Sequence, residues 1–366
     1  MNVLVTGGTG FLGKHVVALL KKNKAVKNIT VVSRKAKKSR DKELGHIKLD
    51  LSSAIDIKKT ASQIAEFDQV IHLAGDYNFA NPYSVAYMSN VVATSNLVDL
   101  IKETGKDIPL LYASTYAVKP HISDEIAEKD NNYLTNSYAI TKAMSEDIVL
   151  NSGLKGACFR LGVLVGDSDG GTIEKIDGPY SFLKLFKKVS SISPLKRIPL
   201  ILLPGDEKSL IPIVGVGDAA SVFNAALSKS FDKMEVCSVF REDSPTNLEL
   251  TKAMVKPYFP YAFIKFTGLV PSILLESQEI ITGISKSSLD YLSYTKGLNC
   301  SNFKRLFPEC HLKDHKQLSE LILKGFEVYG EKLSWNSYKI EELVSKSDTS
   351  SSHSFKATYT ITYHHI

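Results

Sequence analysis

The chain has 366 residues, enough for one large domain or one domain with a smaller companion, and its 43% hydrophobic and 23% charged content is that of an ordinary globular protein. No apolar run approaches the ~20 residues of a membrane span, and the four scattered cysteines contain no C-x-x-C pair, so neither a disulfide framework nor a metal site is expected. The net charge of +6 includes a cluster at Arg34, Lys35, Lys37, Lys38, Arg40 and Lys42, but without interleaved aromatics this does not make a nucleic-acid partner.

The chain opens on Asn2 to Thr6, a β-branched run that reads as a buried strand. Because this strand starts at residue 2, a signal peptide is not expected, and a reducing cytoplasm is the expected location. Gly7, Gly8, Gly10 and Gly13 follow at once, and the apolar spacing of Lys14 to Lys22 suits a helix. A strand passing through glycines into a helix N-terminus suits a dinucleotide pyrophosphate. Absent side chains admit the anion to the backbone, and free N–H groups with the helix dipole favour its charge.

A second strand is expected at Ile29 to Ser33 and is followed by Arg34, with no acid before Asp41. A carboxylate here would bond an NAD ribose, whereas a guanidinium can stack on adenine and fork onto a 2′-phosphate. The expected cofactor is therefore NADP(H). A third strand, His46 to Leu49, ends at Asp50-Leu51, where an acid can accept from the adenine amino group. A fourth, Val70 to Ala74, runs into Gly75-Asp76, and Asn90 to Ile101 carries a helical apolar stripe. Pro109 to Ala113 makes a fifth strand, ending in Ser114-Thr115. Regular alternation of strand and helix predicts an α/β fold with a doubly wound parallel sheet.

A polar loop, Lys119 to Ser137, leads into Tyr138-Ala-Ile-Thr-Lys142 on a helix to Leu150. Residues i and i+4 share a helical face, so an ammonium ~5 to 6 Å from the phenol is expected to lower the tyrosine pKa and make it a usable proton donor.

TGGTGFLG, the HLAG after the fourth strand, NVVATSNLVDL, YASTYAV and YAITK together resemble the extended short-chain dehydrogenase/reductases over about residues 1 to 225. SYAITKAMSE, FRLGVLVGDSDGGTIEKIDGPYSFLK and LIPIVGVGDAAS are most similar to the thioester and fatty acyl-CoA reductase branch, the male-sterility-type NAD-binding domain. Ala143 stands where that branch commonly has tryptophan, and Leu161 replaces the usual proline after Arg160.

The resemblance implies a Rossmann fold in which Tyr138 is the proton donor and Lys142 its electrostatic partner, also holding the nicotinamide ribose. Thr115 aligns with the catalytic Ser/Thr, Ser114 is its neighbour and fallback, and Asn90 matches the asparagine that orders a proton-relay water. The cofactor contacts expected are Thr6, Gly7, Gly10, Phe11, Leu12, Gly13, Ser33, Arg34, Asp50, Leu51, Leu73, Ala74 and Gly75, with Tyr138 and Lys142. The implied reaction is NADPH-dependent reduction of a carbonyl substrate, foremost a fatty acyl thioester on coenzyme A or a carrier. A hydroxysteroid or alcohol dehydrogenase and a nucleotide-sugar epimerase or dehydratase keep the same residues, and an NADP-sensing binding protein is a third reading.

The expected organisation is a cofactor domain over residues 1–240 with a substrate-loop insert around 166–210, a mainly helical C-terminal substrate region over 241–335, and a linker and tail over 336–366. Tyr180 to Phe186 suits either a lipophilic pocket or simple packing. Val255 to Leu275, aromatic-rich and broken by prolines, reads as an acyl-chain wall, a membrane-surface patch or a helical core, with core packing the default. Lys316 to Gly330 reads as helix. A homodimer and a peripheral membrane contact both stay open.

Overall fold

The computed structural model describes residues 1–34, 44–78, 81–118, 136–166, 173, 174, 176, 178–192, 197–267 and 298–329. All lie within the compact unit Met1–Ser334. Residues 119–135 of the expected polar loop, the stretch 268–297 and the linker and tail fall outside the described residues.

In chain order the elements are β1 (Asn2–Thr6), α1 (Phe11–Lys22), β2 (Asn28–Ser33), β3 (Leu44–Lys48), α2 (Ile57–Ala61), β4 (Gln69–His72) and α3 (Tyr83–Tyr87). A π-helical turn (Met88–Val92) then leads into α4 (Ala93–Glu103), β5 (Leu110–Thr115), a 3-10 turn (Tyr116–Val118), α5 (Ser137–Leu150), β6 (Gly156–Leu161) and β7 (Val163–Val165). The remainder is α6 (Pro179–Ser190), β8 (Leu200–Pro204), β9 (Ile213–Gly215), α7 (Val216–Ala226), β10 (Met234–Val239), α8 (Asn247–Val255), β11 (Phe263–Thr267), α9 (Ser301–Leu306) and α10 (His315–Tyr329).

Seven strands form one sheet in the order β10-β6-β5-β4-β1-β2-β3, every pairing parallel. The doubly wound expectation is met. Parallel strands are covered on both faces, which is why β1 reads as a continuous apolar run. Its side chains alternate accordingly: Val3 and Val5 join the core beneath α1 and α7, with Val16, Leu20, Val216 and Phe223. Leu4 joins the opposite core with Leu97, Leu100, Ile101 and Val149 of α4 and α5. Sequence order reverses between β1 and β4, and a crevice at such a switch point, beyond the carboxyl strand ends, is where α/β sheets bind ligands.

A third core holds the smaller part together. Tyr180, Leu183 and Phe186 of α6 pack with Leu250, Met254 and Phe259 and with Leu318, Ile322 and Phe326 of α10. The Tyr180 to Phe186 stretch is thus largely packing. Within Val255 to Leu275, Val255 ends α8 and packs with Phe259 in this core, whereas Phe263–Thr267 is a strand paired in parallel with β8, and residues 268–275 lie outside the described residues. Other differences are at boundaries. β4 stops at His72, β5 runs on to Thr115, and the first residues of the expected Asn90 helix form the π turn.

Candidate active site

The glycine turn is shaped by contacts that side chains would block. Gly7 has φ +71, and a Cβ there would lie 2.5 Å from the Ala74 nitrogen and 2.7 Å from the Leu73 carbonyl carbon, where β1 and β4 end side by side. A Cβ on Gly13 would lie 2.1 Å from the Gly7 carbonyl oxygen, so α1 presses directly on the turn. The Gly10 N–H donates to the Gly7 carbonyl (3.0 Å), but Gly10 caps α1 without a side chain and the first turn holds no acid. This leaves a positively polarised helix end beside bare backbone, which fits a dinucleotide pyrophosphate. Leu12 is buried in the core, and the Phe11 carbonyl is bonded by His15 Nδ1 at 2.9 Å.

Thr6 locks this crevice. Its Oγ1 accepts from the Ala74 N–H (3.2 Å) and is 2.6 Å from His72 Nδ1, whose Nε2 lies 3.1 Å from Thr94 Oγ1. Burial, aided by the Lys142 charge, pushes the His72 pKa down to about 3, so the ring is neutral.

At the far side of β1, Ser33 closes β2 and its carbonyl accepts from Leu49 N–H (3.1 Å). Arg34 is exposed, one residue past the end of β2. Asp50 Oδ1 accepts from Ser52 Oγ (2.6 Å) and Ser52 N–H (3.0 Å), bonds that hold its carboxyl below the usual range with a smaller contribution from Arg34. Leu51 is buried, and its carbonyl is tied to α4 by Asn96 Nδ2 at 2.8 Å.

The chemical groups converge at the end of β5. Asn136 caps α5 by accepting from Ala139 N–H (2.9 Å), which starts the helix just before Tyr138. Tyr138 and Thr115 are joined by a side-chain hydrogen bond. Burial pushes the Tyr138 pKa up to about 12, opposed by that bond. Lys142 is buried and donates to Tyr112 Oη (2.6 Å) and the Ala113 carbonyl (2.7 Å). Burial pushes its pKa down to about 8, against the pull of Cys158 and Glu146. This corrects the expectation that Lys142 lowers the Tyr138 pKa. One helical turn brings the two residues together, but the ammonium is aimed at β5, and the phenol is governed by burial and Thr115.

Ser114 is placed differently. Alternation along β5 turns its hydroxyl to the other side, where it donates to Glu146 Oε2. Glu146 in turn holds the Arg160 guanidinium through two nitrogens, Nε at 3.0 Å and Nη2. Asn90 is 2% exposed and fully engaged: its Nδ2 donates to the Asp76 carbonyl (3.0 Å) and Thr141 Oγ1 (3.0 Å), and its Oδ1 accepts from Asp76 N–H (2.7 Å). With both amide hydrogens used, its side chain clamps the β4 turn onto α5 and has none left for a relay water. A π turn presents it, the kind of local irregularity that recurs at functional sites.

Sequence reasoning did not single out Tyr112, His72, Glu146 or Arg160 for this site. A polar residue inside an apolar strand, as in VIHLA and LLYAS, is the signal that could have flagged the first two.

The chain has relatives among known proteins. Adenylate-forming reductase Nps9 of Serpula lacrymans is 28% identical over 200 residues, covering 46% of this chain and 18% of that protein. UDP-glucose 4-epimerase of Caenorhabditis elegans is 25% identical over 264 residues, covering 64% of this chain and 74% of that enzyme. Several other curated relatives are far longer, and the stretch shared with this chain makes up about 4% of their length. Among solved structures, the terminal R domain from the myxalamid PKS-NRPS biosynthetic pathway superposes with a TM-score of 0.67 at 18% identity, covering 91% of this chain and 92% of that one, a likeness of fold. Residues 3–238 match the model of the NAD dependent epimerase/dehydratase family, to which this chain belongs as an NAD(P)-dependent enzyme of the extended short-chain dehydrogenase/reductase type.

Proposed function

We propose that this chain is an NADPH-dependent reductase whose substrate is an acyl thioester, carried on coenzyme A or on a carrier protein and reduced to an aldehyde or alcohol. The observation that carries the reading is the hydrogen-bonded Thr115–Tyr138 pair, one helical turn from Lys142 and at the same strand ends as the glycine turn. Gly7, Gly10 and Gly13 hold the pyrophosphate by backbone, Arg34 takes the 2′-phosphate, and Asp50 accepts from the adenine. When bound, the nicotinamide supplies hydride chemistry.

The protein's own groups look after the oxygen and the proton. Tyr138, raised to about 12, stays protonated at neutral pH and gives its O–H to the carbonyl oxygen as negative charge develops there. In the free protein Thr115 holds the phenol in place, and when the carbonyl oxygen enters, the single Thr115 O–H turns to it as a second donor. Lys142 contributes positive charge from beneath, anchored by Tyr112 and Ala113. The substrate side is assigned to the 166–210 insert and the 241–335 region. The thioester preference is supported by the sequence resemblance of the SYAITKAMSE and LIPIVGVGDAAS stretches and by the relative named as a reductase.

A second reading, interconversion of a nucleotide sugar, is favoured by the alignment that covers 74% of UDP-glucose 4-epimerase. The deciding experiment measures NADPH oxidation with a long-chain acyl-CoA, a long-chain aldehyde, a ketosteroid and a UDP-sugar, with product analysis. Acyl-CoA turnover that yields aldehyde or alcohol, and that is lost in Tyr138→Phe while NADPH still binds, is the expected result. Conversion of the UDP-sugar without net NADPH consumption overturns the reductase reading. Turnover of the ketosteroid alone keeps the reductase and removes the thioester.

A further inference from the structure

Strands β8 and β11 form a separate two-stranded parallel sheet with Leu200 opposite Phe263 and Leu202 opposite Lys265. The inward face is accounted for, since Leu203 is buried and Ile201 and Ile264 pack against the third core. The outward face ought to be polar, as it is on most sheets with one solvated side. Instead Leu200 is 45% exposed, Leu202 58% and Phe263 78%, with Tyr261 at 91% just ahead of β11 and Ile192 at 48% after α6. Isolated exposed leucines need no explanation, but registered neighbours on one sheet face make a contiguous patch.

The charge around this patch is one-sided. The whole chain sets 45 basic against 39 acidic residues, yet the stretches 180–204 and 250–267 carry eight lysines and arginines and no aspartate or glutamate, with Asp177, Asp206, Glu207 and Glu249 just outside them. Lys188, Arg197, Lys252, Lys256 and Lys265 are all exposed.

We propose that the outward face of the β8–β11 sheet docks on an anionic lipid membrane. Protruding aromatic and leucine side chains enter the headgroup boundary of a fluid layer, which needs no preformed complementary pocket. Surrounding lysines and arginine meet the lipid phosphates, each contributing about a fivefold gain in partitioning. Among the described residues no helix is long and apolar enough to cross a membrane, so the contact is superficial. The proposal is independent of the reaction assigned to the strand ends of the large sheet.

The test is flotation of the full chain with vesicles of phosphatidylcholine, with and without phosphatidylserine, at low and high salt. Co-flotation with the phosphatidylserine vesicles, weakened by salt and by omission of the anionic lipid, is expected. The pair Leu202→Asp/Phe263→Asp and, separately, the pair Lys256→Glu/Lys265→Glu should each reduce the bound fraction at least about tenfold without changing the melting temperature by more than a degree or so. The charge-reversal pair serves as the test if the aspartates prevent folding. Absence of flotation, or flotation that neither pair weakens, overturns the proposal. So does a wild-type dimer that Phe263→Asp converts to monomer without any vesicle binding, or capture of an acidic protein in place of vesicles.

Discussion

Ser114 and Thr115 are consecutive residues of β5, yet their hydroxyls are committed to different partners, Ser114 to the Glu146 carboxylate and Thr115 to the Tyr138 phenol. Both partners stand on α5, Glu146 two turns beyond Tyr138, and strand alternation points the adjacent hydroxyls apart. One belongs to a buried polar network under α5 and the other to the group proposed to donate the proton.

The two hydroxyls should therefore fail in different ways when removed. Thr115→Val removes a hydrogen bond aimed where charge develops and is expected to lower kcat by about 100-fold with cofactor binding retained. Ser114→Ala leaves one Glu146 oxygen short of a donor in a buried site and should cost about 1–2 kcal/mol of stability with kcat within a fewfold of wild type. Steady-state kinetics and urea melts on both variants check this. The reverse pattern would exchange their roles.

The glycine turn makes a sharper steric prediction. A Cβ at Gly13 would sit 2.1 Å from the Gly7 oxygen and 2.7 Å from the Gly8 Cα, both backbone atoms, so the turn itself must move. At Gly10 the nearest atom is 3.3 Å away. Gly13→Ala should cost about 1–3 kcal/mol of stability and weaken nucleotide binding more than tenfold, whereas Gly10→Ala should do much less. Fluorescence titration with NADPH, set beside thermal melts, separates the two variants, and equal losses would show that the turn relaxes freely.

The strand, glycine turn and helix at the N-terminus were legible because their signals are local: a β-branched run, a glycine spacing and a 3.6-residue stripe within 22 residues. Tyr138 and Lys142 were legible for the same reason. What the ammonium touches was not, since Tyr112 lies 30 positions away and meets it only through packing of α5 on the sheet. The Ser114–Glu146–Arg160 network depends likewise on sheet register, which sets Ser114 opposite Arg160. β8 and β11 escaped notice because each is only five residues long, LILLP without alternation and FIKFT broken by Lys265, and the partner comes some sixty positions later.

Arg34 tests cofactor choice. It stands exposed at the end of β2, close enough to Asp50 to help hold that carboxyl ionised, and no acid follows it before Asp41. A charge-assisted fork on a 2′-phosphate is worth about 1.5–3 kcal/mol, so Arg34→Ala should raise KM for NADPH roughly 10- to 100-fold and leave NADH nearly unchanged. Equal losses with both cofactors would remove the phosphate contact.

His72 makes the fold's cofactor edge sensitive to acid. It is 1% exposed, with its two ring nitrogens against Thr6 and Thr94, and its folded pKa is about 3 against 6.5 for the free side chain. Between those values the unfolded chain binds more protons than the folded one, so stability is fully present above about pH 6.5 and falls as pH drops through that window. One such group contributes a slope of up to about 1.4 kcal/mol per pH unit. His72→Asn keeps a donor and an acceptor between the threonines but cannot titrate. It should be less stable than wild type at pH 7, by about 1–3 kcal/mol, and lose stability less steeply from pH 6.5 to pH 4. Urea melts across that range measure both slopes, and parallel curves would mean that His72 is not the titrating group. Because Thr6 Oγ1 also accepts from the Ala74 N–H, protonation of His72 in the folded protein would loosen the β1–β4 edge on which the glycine turn rests, so nucleotide affinity should hold down to about pH 4 and decline only as pH nears 3.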